Sequence, residues 1–410
     1  MVKVYLNYTI FSASAADHPN RISKLTESTS FTVILHLRVS GDAALYGIIT
    51  TELMEKMKKS KIKIILSVFL CVIVILITGY GFLCVKLYND NFNKRFTTAI
   101  TMRQYLEDFD GLQRTRYEFP SDKGQKLTGY LYSAGEEDPR GIIIIAHGFG
   151  GGGHNSYMNC ANYFAQNGYL VFAYDATGND ESEGEGVGGI PQGVIDLDHA
   201  ISFVEDSGNF PELPVGLFGH SWGAYSVSSV LTRHPEVKAV IAVSGCNRSS
   251  DVFESGGKDQ AGDLIYTMTP FIRLYERIKY GDYAAKTAMD GFAAGDTAVL
   301  IMHSADDNVL GIEYGLDLYY KTYKDDPRFT FMRFENRGHN YIYDDRAYID
   351  EYNAAFDQWL KTLDYDYNAA ENKEQFIADK AAYTRQHLDW EKMPDSALFA
   401  EFLDFYNKNM

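Results

Sequence analysis

Residues 214–230 read Pro214-Val215-Gly216-Leu217-Phe218-Gly219-His220-Ser221-Trp222-Gly223-Ala224-Tyr225-Ser226-Val227-Ser228-Ser229-Val230. A short apolar run ends at a glycine, a serine follows two residues later, and a second glycine opens a helix-compatible stretch. The string Gly219-His220-Ser221-Trp222-Gly223 is a G-x-S-x-G, a weak signal by itself in a chain with 35 glycines. Its setting makes it strong. A sharp turn from strand to helix forces its central serine into a strained backbone. It also needs small residues on either side, because a Cβ there would strike the neighbouring strand and helix. The start of a helix favours developing negative charge close to the serine hydroxyl.

Outward from this turn, apolar runs recur at residues 141–146, 169–173, 239–244, 298–303 and 329–334. Unbroken apolar strands of this length are buried on both faces, as in a parallel sheet covered by helices. Residues 112–119 and 126–133 alternate more and read as an antiparallel pair. Helical stretches fall between the strands at 155–166, 188–206, 224–234, 312–324 and 347–363. The expectation is an α/β architecture with eight strands, mostly parallel, and helices on both faces. An insertion over about 246–297 separates the sixth and seventh strands and holds a helical piece near 263–280. Residues 364–410 read as a helical appendage outside the domain at 111–363.

With the turn, the strand order and the flanking motifs together, the chain resembles the α/β-hydrolase superfamily. It is most similar to the bacterial branch that groups monoglyceride-lipase-like and serine-aminopeptidase-like enzymes. The resemblance implies a serine nucleophile at Ser221. His147-Gly148-Phe149-Gly150 resembles the HGxG oxyanion loop, which implies that the backbone N–H groups of Phe149 and Trp222 hold an oxyanion, with His147 shaping the loop. His303-Ser304-Ala305-Asp306-Asp307-Asn308-Val309-Leu310 resembles H-G-x-x-D-x-x-V, with Ser304 in place of glycine and Leu310 in place of valine. That alignment makes Asp307 the acid, with Asp306 and Asp251 as alternatives. Gly338-His339-Asn340 follows the last strand, so Ser221, Asp307 and His339 keep the superfamily order of Ser, Asp, His. The acidic loop at 175–186 matches the superfamily's D-x-x-G-x-x-x-S through Asp175, Gly178 and Ser182; a calcium loop is the other reading, though its spacing is not that of an EF-hand.

The chemistry that this implies is acyl transfer. His339 takes the proton of Ser221 and returns it to the leaving group, while Asp307 orients the imidazole. The expected activity is hydrolysis of carboxylic esters of a small-molecule or lipid-like substrate through an acyl-enzyme. The alternatives are an aminopeptidase-like reaction on the same three residues, which needs a carboxylate to hold the substrate amine, and a non-catalytic membrane-tethered binding protein. No cofactor or metal motif is present in the sequence, and nothing in it sets an oligomeric state.

Composition narrows the field further. A net charge of −17 disfavours nucleic acid as a partner, since phosphate binding needs basic patches. Four cysteines without CxxC spacing read as unpaired thiols, with a Cys160–Cys246 disulfide as the alternative. Residues 64–85 carry no charge, and as a helix at about 1.5 Å per residue they span a bilayer core of about 30 Å. Lys56, Lys58, Lys59, Lys61 and Lys63 precede the run, which argues for a signal-anchor with the N-terminus inside and the catalytic domain on the extracytoplasmic side; a cleaved signal peptide is the rival. Residues 1–53 carry no motif, and Met54 or Met57 would serve as a start. The anchor is read as separate from the domain, so a chain begun near Asn89 is expected to fold.

Overall fold

The computed structural model describes the backbone from residue 43 and side chains from residue 53. The greater part of the motif-free 1–53 stretch lies outside the described residues. A long helix, α1 (Ala43–Phe92), comes first. The chain divides into two units at Val72/Ile73, so α1 contributes to both.

Eight strands follow: β1 (Gln113–Pro120), β2 (Lys126–Ser133), β3 (Ile142–Ala146), β4 (Leu170–Tyr174), β5 (Val215–His220), β6 (Ala239–Val243), β7 (Ala298–Ser304) and β8 (Phe329–Phe334). They form one sheet in the order β1-β2-β4-β3-β5-β6-β7-β8. β1 pairs antiparallel with β2 and β2 antiparallel with β4; every other pairing is parallel. β3 to β7 are buried along their whole length, the physical counterpart of their unbroken apolar sequences.

Helices α3 (Gln192–Asp206) and α4 (Trp222–Ser229) pack into the core on one face, together with α8 (Ala288–Phe292) and α9 (Leu316–Tyr323). The opposite face is covered by α2 (Met158–Gln166) and α12 (Ser396–Asn409). Here the structure departs from the sequence reading. The helix expected at 347–363 is α10 (Arg346–Leu360), and only Ile349 of it is buried. Its aromatic residues Tyr352, Phe356 and Trp359 pack on Tyr383 of α11 (Lys373–His387). The expected appendage supplies the sheet-covering helix instead: Phe399, Phe402 and Tyr406 of α12 are fully buried, and the Tyr406 hydroxyl donates to Leu217 O of β5 at 2.7 Å. Their 399, 402, 406 spacing puts three rings on one face of α12.

The insertion forms α5 (Ser249–Ala261), α6 (Ile265–Tyr280), α7 (Asp282–Ala285) and α8. The end of α1 belongs to it. Cys84 and Tyr88 are fully buried in a cluster with Phe253, Ile265, Met268 and Ile272. The Tyr88 hydroxyl donates to Glu276 Oε1 and accepts from Ile190 N–H at 3.0 Å. Phe96 pairs with Asn179 in an isolated parallel bridge, and Thr98 is buried. Packing therefore begins well upstream of residue 111, and a chain begun at Asn89 would leave the Tyr88 site empty. Cys160 and Cys246 sit in the two different cores, and both are free thiols, as are Cys71 and Cys84.

Candidate active site

Ser221 lies at the junction of β5 and α4 with φ 58° and ψ −115°, a region that side chains rarely adopt. Its neighbours explain the glycines. A Cβ on Gly219 would lie 2.4 Å from Gly223 C, and one on Gly223 would lie 1.9 Å from Ala146 O on β3. Ser221 N–H donates to Val243 O at 2.8 Å, which fixes the turn against β6.

The loops after β7 and β8 bring two more side chains to this turn. Ser221 Oγ is 2.8 Å from His339 Nε2, and His339 Nδ1 is 2.6 Å from Asp307 Oδ2. Asp307 Oδ1 accepts from Val309 N–H at 2.9 Å and Leu310 N–H at 2.8 Å. Burial would raise the Asp307 pKa, but hydrogen bonds from His303 and His339 and the backbone hold it well below the usual carboxylate range. A carboxylate on Nδ1 leaves Nε2 as the acceptor for the serine proton. The two alternative acids do other work. Asp306 accepts from Ser304 Oγ at 2.6 Å and Gly338 N–H at 2.9 Å, and so ties the His339 loop down. Asp251 accepts from Arg248 N–H at the start of α5.

Sequence reasoning missed three supporting side chains. His303 Nε2 lies 3.1 Å from Asp307 Oδ2 and 2.9 Å from Leu310 O. A carbonyl only accepts, so Nε2 carries the proton and holds Asp307 in place. His220 Nε2 donates to His339 O at 3.0 Å, and its Nδ1 accepts from the Tyr157 hydroxyl, which in turn accepts from Gly148 N–H. Burial, reinforced by the neighbouring His339, pushes the His220 pKa down to about 3, so it serves as a neutral strut between the His147–Gly150 loop and the His339 loop. His303 was in view as part of its motif; nothing in the sequence pointed to Tyr157.

His147 is structural, as expected: its Nε2 accepts from Ala176 N–H at 3.0 Å and its Nδ1 lies 2.8 Å from Gly148 O. Among the described residues no hydrogen bond engages the N–H of Phe149 or Trp222. The Phe149 and Trp222 rings meet edge to face at 5.5 Å, and Phe149 is flanked by Phe92 and Phe96. In the acidic loop, Asp175 Oδ1 accepts from His154 N–H and lies 2.8 Å from His154 Nδ1, while Oδ2 accepts from Glu181 N–H. Its carboxylate braces the glycine-rich segment that follows Phe149.

A cavity of about 740 Å³ opens over Ser221 and His339. Phe92 of α1 and Val252 of α5, within the insertion, line it. Tyr352 and Phe356 of α10 and Lys380 and Thr384 of α11 line it too. The helical hairpin between β8 and α12 is thus a further wall, of which the sequence reading placed the first helix in the domain and the second in the appendage.

The family model described as serine aminopeptidase, S33, matches residues 137–280, which include the Ser221 turn and the His147–Gly150 loop but neither Asp307 nor His339. A monoacylglycerol lipase from Mycolicibacterium smegmatis is 28% identical over 140 residues, covering 32% of this chain and 46% of that protein. A monoglyceride lipase from Rattus norvegicus is 31% identical over 140 residues, covering 33% and 45%. The chain thus spans less than half the length of these curated relatives. Among solved structures, an esterase from Pyrococcus furiosus matches with 16% identity and a TM-score of 0.48, over 66% of this chain and 97% of that one. An acylaminoacyl peptidase from Pyrococcus horikoshii matches with 17% identity and a TM-score of 0.44, over 57% and 39%. By its sheet order, its strained serine turn and these sequence matches, the chain belongs to the α/β-hydrolase superfamily. The sequence matches fall in the part of it that holds monoglyceride lipases and serine aminopeptidases.

Proposed function

We propose that the protein is a serine hydrolase that cleaves carboxylic esters of lipid-like acyl substrates. Ser221 attacks the acyl carbon, and His339 accepts its proton and later delivers it to the leaving alcohol. Asp307 keeps Nδ1 protonated and stabilises the imidazolium. The N–H groups of Phe149 and Trp222 receive the oxyanion, a contribution of about 3–4 kcal/mol per donor in comparable sites. Water then releases the acyl group from Ser221. The observation that carries this reading is the unbroken relay of 2.8 Å and 2.6 Å from Ser221 through His339 to Asp307. A fluorophosphonate probe should label the protein at Ser221, and Ser221→Ala should lose both labelling and at least about 10⁴-fold of esterase activity. Labelling elsewhere, or more than a tenth of the wild-type rate in Ser221→Ala, would remove Ser221 as the nucleophile.

The reading extends to a membrane. The side chains of Ile64, Ile65, Leu66, Val68, Phe69 and Leu70 are exposed, which suits a helix surrounded by lipid. The lysines at 56–63 favour an N-terminus inside and a catalytic domain outside. Protease added to intact cells should then degrade the domain; protection until lysis would reverse the orientation.

A further inference from the structure

The cavity over Ser221 holds a carboxyl group that the proposed reaction does not use. Asp344 follows His339 by five residues and lines the same cavity. It is 2% exposed, and Oδ1 is a buried atom with no hydrogen-bond partner among the described residues. The other buried acids all have partners. Asp175 takes His154, Asp196 takes Ser121 and Thr177, Asp251 takes Arg248 N–H, Glu254 takes Arg273, Glu276 takes Tyr88 and Ser249, and Asp307 takes His339.

The backbone around Asp344 is firmly held. Asp344 forms an antiparallel bridge with Pro394, Asp345 N–H donates to Met393 O at 2.7 Å, and Asp395 N–H donates to Tyr343 O at 3.0 Å. One cation is near enough to matter, and it does not pair with Asp344. Arg337 donates to Ile342 O and to Asp395. Lys380, which also lines the cavity, stands over the Phe356 ring at 5.4 Å and makes no ion pair with Asp344. A buried carboxyl oxygen without a partner is destabilising, and one beside a cavity recovers that loss when a ligand meets it.

We propose that Asp344 is the recognition residue for a protonated amino group on the substrate, held in the cavity that Ser221 and His339 floor. The surroundings select a cation over a neutral donor. Tyr157, Tyr343 and Trp390 line the same cavity, and aromatic faces attract an ammonium ion. Burial raises the Asp344 pKa well above the usual carboxylate range, with Arg337 opposing, and a cation brought against the group favours its charged form. Binding of R–NH₃⁺ should therefore pull the carboxyl toward its carboxylate form, with the proton it gives up passing to the buffer. This deepens the hydrolase reading: the acyl or leaving group carries an amine, whether the scissile bond is an ester or an amide.

The test uses the full chain carrying Ser221→Ala, so that binding is read whether or not Ser221 is the nucleophile. Phenylalaninamide is titrated calorimetrically, in buffers of different ionisation enthalpy, against 3-phenylpropanamide, which lacks the amine, and 3-phenyllactamide, which has a hydroxyl in its place. The amine should bind about tenfold or more tightly than both analogues, with close to one proton released. Adding Asp344→Asn should bring the three affinities together and abolish the proton release; Asp344→Glu, which keeps the carboxyl, should restore part of the preference. Equal affinities in the parent protein, a hydroxyl analogue as tight as the amine, no measurable amine binding, or a preference that survives Asp344→Asn would each overturn the proposal. Fluorophosphonate labelling of the chain with Ser221 intact tests the hydrolase reading separately.

Discussion

The Ser221 turn and the junction between α1 and the insertion both border the cavity, yet they were legible to different degrees. At the turn, each requirement is local. The serine, the two glycines that make room for it, and the strand and helix that flank it lie within 17 consecutive residues. At the junction, the requirement is met by residues nearly 190 positions apart: Tyr88 with Glu276, Tyr80 with Thr267, and Asn89 with Tyr275. An apolar run followed by Tyr88 and Phe92 reads the same whether the helix ends in solvent or in a cap. The contrast teaches that the residues of the proposed reaction are written in motifs, whereas the walls of the cavity over them are assembled from distant segments.

The comparison can be broken first at the turn's partners. Asp307→Asn should lower kcat/KM for an ester by about 10⁴, because the imidazole then adopts the wrong tautomer. Asp306→Asn should cost less than about tenfold, since an amide oxygen still accepts from Gly338 N–H. The reverse order would show that the acid lies one residue earlier than the relay distances indicate.

The junction can be broken at Tyr88. Tyr88→Ala should destabilise the protein by about 3 kcal/mol, as a large buried ring and a hydrogen bond to the insertion are both lost. Denaturant unfolding of the full chain measures this. An unchanged midpoint would mean that the end of α1 is a free tether after all.

A smaller effect sharpens the same contrast. Burial raises the Glu276 pKa to about 7 from an ordinary 4.5, against hydrogen bonds from Ser249 and Tyr88 that lower it. A carboxyl whose folded pKa is raised favours the folded state fully below the unfolded value and loses that contribution as pH climbs through the folded one. The junction should therefore be tightest in mild acid and loosen between about pH 5 and 8. Glu276→Gln should flatten that dependence by about 1 kcal/mol, a Tm change of about 2–4 °C. Asp251, also raised to about 7 by burial, leaves a residue of the slope. No change in slope would place the loosening elsewhere.

All eight strands were legible, because β3 to β7 need apolar residues on both faces and little else. The Ser, Asp and His positions followed from motifs that keep their order along the chain. The choice of sheet-covering helix was not legible. Residues 346–360 and 396–409 are both helices with aromatic rings, and only packing reveals that Tyr352 and Phe356 face α11 while Phe399 and Phe402 face the sheet. Helical periodicity tells which side of a helix is apolar but not what that side meets.

The sequence by itself determined the sheet, the strained serine turn and the three residues proposed to carry the reaction, because backbone sterics and strand burial act over short stretches. Tertiary structure alone decided that α1 ends inside the insertion, that α10 and α11 wall the cavity, and that the buried Asp344 Oδ1 beside it has no partner among the described residues. Those depend on which distant groups come within hydrogen-bond reach, and a carboxyl's lack of a partner is a property of everything around it.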